Sequence, residues 1–236
     1  MPIRFFRAAF AGAFVVCLIG THPQSVTLAR SADRAISAST EADAEAMREL
    51  LEGKSGRRET WVNVPALVVL TSVMEYRTGD MVSGYVTTDE RLADEDTAQL
   101  VSDLTRALDE LTGGAFKAFA AVRFEKPKTG QIVRVFRSGQ IVVGRFRGVQ
   151  AKTGSLGYGA RTTRNGTITA AAVIVDRNFD RDPNRRLMLR THELGHALGY
   201  NHVESRPSVM NPRVGTGLTE FDRAAIKVAF NPPVQQ

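Results

Sequence analysis

The chain has 236 residues, 43% of them hydrophobic and 24% charged, with 20 glycines, 9 prolines and a formal net charge of +6. That composition fits one globular domain with short extensions and excludes a disordered, collagenous or coiled-coil chain. A chain of this length buries enough surface to hold a core without disulfides, in keeping with its single cysteine, Cys17.

Residues 1–29 read as an export signal. Arg4 and Arg7 precede 13 apolar or small residues (8–20, AAFAGAFVVCLIG), and Thr27-Leu28-Ala29 presents small residues at both positions a signal peptidase inspects, which puts cleavage after Ala29. The apolar run falls short of the roughly 20 residues that span a membrane, so no stable anchor is expected and the product is secreted or periplasmic. Phe14-Val15-Val16 lack the small residue that a lipoprotein signal needs before its cysteine, so Cys17 leaves with the signal.

Residues 30–60 are rich in Ala, Ser and acids, are weakly helical, and run into Gly-Lys-Ser-Gly-Arg-Arg at 53–58. They read as a pro-segment, stem or linker rather than core, with the folded domain occupying 61–236. Within it, the β-branched run VPALVVLTSV (64–73) is of strand length. Leu92, Leu100, Leu104, Leu108 and Leu111 recur at three-and-four spacing, predicting a helix over 91–112 that Gly113-Gly114 stops. A strand follows at 118–125. Segments 132–137 and 140–147 alternate apolar and basic residues around Ser138-Gly139, the pattern of a hairpin. After a Gly-rich stretch (154–166), TITAAAVIVD (167–176) is almost wholly apolar, as in a strand buried on both faces. A helix over 184–198 is bracketed by Pro183 and Gly199, and a last helix covers 220–230.

Charge is unevenly spread. Residues 41–52 carry five acids against Arg48, whereas 126–175 carry nine basic residues and no acid. Such a segment is either a solvated face or an attractor of acidic protein substrates. Phe124, Phe136 and Phe146 lie among or beside these cations but within no recognised nucleic-acid module, so no nucleic-acid partner is expected.

The chemistry concentrates at 192–202. His192-Glu193-Leu194-Gly195-His196-Ala197-Leu198-Gly199-Tyr200-Asn201-His202 reads HExxHxxGxxH and holds three of the four histidines. His192 and His196 lie one turn apart on one helix face and can hold the same ion. Glu193, beside the first ligand, is placed to take a proton from a water activated at the metal. Gly199 can turn left-handed, end the helix and bring His202 back as third ligand. Three neutral nitrogens around one open position make a catalytic zinc site, and a closed structural site would need a fourth side chain. Five specified positions match by chance on the order of once in ten million windows.

This motif, followed by Ser208-Val209-Met210-Asn211-Pro212, resembles the metzincin clan of zinc endopeptidases, in which a methionine turn lies beneath the metal. The eight-residue step from His202 to Met210, the Met-x-Pro form and the final helix after Leu218-Thr219 resemble the matrixin branch, especially its small bacterial secreted members. Pro212 stands where other branches carry a switching tyrosine. The resemblance implies an α+β, zincin-like fold: a twisted, mixed, five-stranded sheet with one antiparallel edge strand, two long helices and a C-terminal helix. It also implies that Met210 and Gly199 support the site and that an edge strand aligns the peptide substrate. The candidate edge is 155–162, with Gly157, Tyr158, Gly159 and Ala160 as substrate-binding residues, and the runner-up is 140–147. The chain lacks the thiol of the cysteine-switch latency mechanism and the histidines of a second zinc site.

The expected activity is therefore that of a monomeric, exported zinc endopeptidase acting on proteins or peptides through one Zn2+, with Glu193 as general base. The alternative is an exported zinc protein that captures peptides without turnover. Asp176, Asp180 and Asp182 offer either a Ca2+ site or capping and turn roles.

Overall fold

The computed structural model describes residues 40–213 and 217–230, so the expected export signal lies outside them. Eight strands form one curled, mixed sheet: β1 (Ala66–Leu70), β2 (Ser72–Glu75), β3 (Tyr85–Arg91), β4 (Val122–Glu125), β5 (Ile132–Val133), β6 (Gln140–Arg147), β7 (Gly157–Arg164) and β8 (Thr167–Asp176). The helices are α1 (residues 40–52), α2 (Asp80–Ser83), α3 (Asp94–Leu111), α4 (Val149–Thr153), α5 (Arg186–Leu198) and α6 (Glu220–Phe230). The described chain is mixed α+β, with α3, α5 and the C-terminal α6 joined by α1, which is as long as α5 and makes three long helices where two were expected. No described helix is long and apolar enough to cross a membrane.

β4, β1, β6 and β8 run parallel in that spatial order, and β7 closes this flank as an antiparallel edge on β8. The sheet thus has eight strands rather than the expected five, although this flank taken alone holds five with one reversed edge. The other half differs: the 64–73 run breaks at Thr71 into β1 and β2, and β2 pairs with the far end of β6. Beyond β2 lie two antiparallel strands, β3 and β5. The break follows from divergent pairing. Thr71 donates its N–H to Glu125 of β4 while its carbonyl accepts from Leu92, so the chain changes neighbours there.

No hairpin forms at Ser138-Gly139. β5 pairs with β3, whereas β6 sits at the centre of the sheet between β1/β2 and β8. The runner-up edge strand is therefore an interior strand. A solvated face was one reading of the basic segment, yet Arg145 is 1% exposed, with Asp180 and Asp96 neutralising it inside the protein. A buried, paired cation gives the same pattern as an exposed one.

Period-two alternation divides the core. Leu67, Val69, Ile141, Val143, Ala171, Val173 and Val175 face the helices, while Val68, Leu70, Val142, Phe146, Ala172 and Ile174 face a second cluster closed by Met74, Tyr85 and Val133. Both faces of β8 are covered, which explains its continuous apolar run. On the helix side, Leu100, Leu104, Leu108 and Leu111 of α3 and Leu189, Leu194 and Ala197 of α5 complete the main core. Asp94, Glu95 and Asp96 occupy the first turn of α3, where the helix dipole favours acids.

The expected domain start at residue 61 is too late. Ala46, Leu50 and Leu51 of α1 are buried in the main core, and Trp61 donates its indole N–H to the Ala197 carbonyl at 2.9 Å. Residues 46–60 are part of the folded unit rather than a stem before it. With acids on its other face, α1 carries too few apolar residues to read as a core helix from pattern alone.

Candidate metal centre

α5 buries Leu189, Leu194, Ala197 and Leu198 and turns His192 and His196 toward an open cleft. The helix ends where Gly199 adopts a left-handed conformation, φ 110°. A side chain there would be strained and its Cβ would also run into the Glu59 carbonyl, so both geometry and space require glycine. The reversal carries His202 back across the helix end. Its Nε2 lies 3.2 Å from Nε2 of His192 and 3.0 Å from Nε2 of His196, and the three candidate ligand atoms fall within 4.8 Å of one another.

Two backbone carbonyls define the tautomers of His192 and His196. Nδ1 of His192 lies 2.7 Å from the Val209 carbonyl and Nδ1 of His196 lies 3.0 Å from that of Tyr200. A carbonyl only accepts, so each Nδ1 carries the proton and each neutral ring directs a bare Nε2 lone pair at the common centre. Both lone pairs face His202 Nε2 at hydrogen-bond distance, and a cation could take the place of a proton between the three nitrogens; the outer hydrogen bonds are of the kind that orient metal-bound imidazoles. Burial lowers the pKa of all three histidines, His196 to about 3, which favours the neutral rings that coordination needs. The residues present fit a metal ion.

Glu193 points into the same cleft and is 5% exposed. Burial pushes its carboxyl up to about 8, partly opposed by a hydrogen bond from the Gly159 backbone. β7 passes close enough to do this because it has glycine at alternate positions. A Cβ on Gly157 would come within 2.8 Å of Glu193 Oε1, and one on Gly159 would overlap the Glu193 carbonyl and the His196 Cβ. The cleft, about 710 Å3, is lined by Gly157, Tyr158 and Gly159 as expected, but not by Ala160.

The turn that holds Met210 lies against α5 at Gly195. Met210 is 1% exposed, and its sulfur occupies the space a Cβ on Gly195 would take. An acid unnoticed in the sequence holds this turn. Asp222, 2% exposed, accepts the Ser208 hydroxyl at 2.5 Å and the Val209 N–H at 3.0 Å. Val209 in turn supplies the carbonyl that orients His192. Asp222 also accepts the Thr219 N–H, while Thr219 Oγ1 accepts the Asp222 N–H, which is a reciprocal cap at the start of α6. The spacing Thr219-x-x-Asp222 was the available signal.

The three aspartates considered for calcium are already engaged. Asp180 is fully buried between Arg145 and Arg190, Asp176 accepts the N–H groups of Gln150 and Asn178, and Asp182 accepts that of Asn184. Those are the ion-pair and turn roles, and they do not converge on a cation site. Five of the nine cations of the acid-free segment pair with acids outside it: Arg137 with Glu125, Arg145 with Asp180 and Asp96, Arg147 with Glu90, Lys152 with Glu75 and Arg161 with Glu59. The cations that line the cleft, Arg185 and Arg213, come from outside it.

Compared with known proteins, the chain matches no protein-family model and no curated protein.

Proposed function

We propose that the protein is an exported zinc-dependent endopeptidase of the metzincin type, closest in plan to the matrixin branch. One observation carries this reading: three histidine Nε2 atoms converge beside a buried glutamate in a cleft bordered by an antiparallel edge strand. His192, His196 and His202 would hold the ion. When bound, zinc supplies Lewis acidity toward a peptide carbonyl and toward water, whose pKa falls to about 7.

The other tasks fall to the chain's own residues. β7 pairs only with β8 among the described strands, and its free edge offers backbone groups to an extended peptide, in the manner of strand addition. Glu193 accepts the proton of the attacking water and returns it to the leaving amine. Burial raises its proton affinity in the metal-free chain, and the positive charge of a bound ion would offset that rise, leaving the carboxylate form available as the base. Arg185 and Arg213 at the cleft favour acidic side chains near the scissile bond.

The test is hydrolysis of casein and of a peptide library by the purified protein, with a chelator and with zinc restored. The account expects cleavage that stops with the chelator, returns with zinc and is enriched at acidic sequences. Cleavage indifferent to the chelator contradicts the metal-dependent reading, and a flat library profile contradicts the acidic preference.

A further inference from the structure

We infer that Arg161 is a positioning residue of the histidine triad: held by Glu59 and Asn201, its guanidinium fixes the carbonyls that end α5, and with them the His196 ring and the turn to His202. The inference rests on reading the triad as a metal site.

Arg161 lies on β7, outside the cleft lining. Its Nη1 donates to the carbonyls of His196 at 3.0 Å and Tyr200 at 3.4 Å, and its Nη2 donates to Asn201 Oδ1 at 2.9 Å. The end of a helix concentrates unpaired carbonyls and the negative end of the dipole, so a guanidinium fork is well matched to it. The Tyr200 carbonyl is the one that receives Nδ1–H of His196. One oxygen therefore links the arginine to a ligand ring, and the Asn201 contact holds the residue immediately before His202.

The arginine is itself held. Glu59 Oε2 accepts its Nε at 2.5 Å while Glu59 Oε1 accepts the Thr163 hydroxyl at 3.1 Å. Asn201 is tied through its N–H and its side-chain amide to the Leu50 carbonyl, at 2.8 and 3.3 Å. Glu59 and Leu50 belong to the stretch that the sequence presented as a stem. Rather than covering the cleft, that stretch braces the back of the metal site.

The experiment measures zinc affinity by competition with a chromophoric chelator, the visible spectrum of the cobalt(II)-substituted protein and thermal unfolding of the metal-free chain. It compares wild type with Arg161→Ala, Arg161→Lys and Leu104→Ala, the last a core truncation on α3. Arg161→Ala is expected to lose about 10–100-fold in zinc affinity and to alter the cobalt spectrum. Arg161→Lys should recover part of both, while Leu104→Ala lowers the melting temperature and leaves them unchanged. Wild-type affinity and spectrum in Arg161→Ala would overturn the inference, as would losses in Leu104→Ala equal to those in Arg161→Ala. If Arg161→Ala does not fold, Glu59→Gln carries the test: it should weaken zinc binding several-fold, and unchanged binding would overturn the inference. Failure of the wild-type chain to bind zinc would instead remove the metal reading itself.

Discussion

Within the metal-free triad, burial moves acids and bases in opposite directions, and stability follows. His196 falls from its ordinary 6.5 to about 3, so its contribution is present above 6.5 and is lost as pH falls from there toward 3. Glu193 rises from 4.5 to about 8, so the folded state binds the extra proton and stability declines as pH climbs through that interval. Burial alone would raise Glu90, but its hydrogen bonds from Arg177 and Arg147 outweigh this and hold it low, adding stability that acid removes below its ordinary 4.5. Between pH 4.5 and 6.5 the His196 and Glu193 slopes oppose each other, so the metal-free protein is predicted to be most stable across that window, to weaken below it and to weaken from 6.5 to about 8, with Glu193→Gln abolishing the decline from 6.5 to about 8. Urea midpoints across pH check this, and an alkaline decline that persists in Glu193→Gln contradicts it. At this scale the triad and Glu193 were readable because their spacing is itself the geometry. Asp222 was not, since its importance lies in contacts with Ser208 and Val209, which are remote in sequence.

Between elements, two contacts hold α5 where the triad needs it. On one side β7 lies against it through Gly157 and Gly159. Gly159→Ala must push strand and helix apart, at a cost of roughly 1–3 kcal/mol typical of overpacking, and should remove most hydrolytic activity. Wild-type urea stability with full activity would contradict this packing. On the other side, Arg190 of α5 reaches Asp103 of α3 at 2.7 Å and Asp180 at 2.7 and 2.8 Å, with Arg145 of β6 on the same Asp180. Breaking a buried pair leaves uncompensated charge, so Asp180→Ala should lower unfolding free energy by about 3–5 kcal/mol in urea titration. A loss under about 1 kcal/mol would show the cluster to be solvated, because exposed pairs contribute at that level. The helices α3, α5 and α6 and strand β8 were readable from apolar periodicity and their stop signals. β6 misled because a neutralised interior arginine and a solvated one look alike in a sequence. The break at Thr71 carries no glycine or proline to announce it.

Across the molecule, the sheet separates a helix-side core from a second one closed by its own curl, and the histidine triad lies where α5 meets the edge strand β7. The folded unit extends back through α1, whose Leu50 is 2% exposed and whose carbonyl ties down Asn201. That extension escaped the sequence reading because three buried apolar residues among acids make a weak stripe until the rest of the core surrounds them. The proposed role for this arrangement is that Glu193 moves the proton in a metal-dependent peptide-bond hydrolysis. The most direct test measures zinc content and casein hydrolysis of wild type beside Glu193→Ala. The account predicts one zinc per chain in both proteins and a loss of at least about 10²-fold in turnover in the variant, the lower end of what a positioned general base contributes. Equal turnover in the two proteins would contradict it.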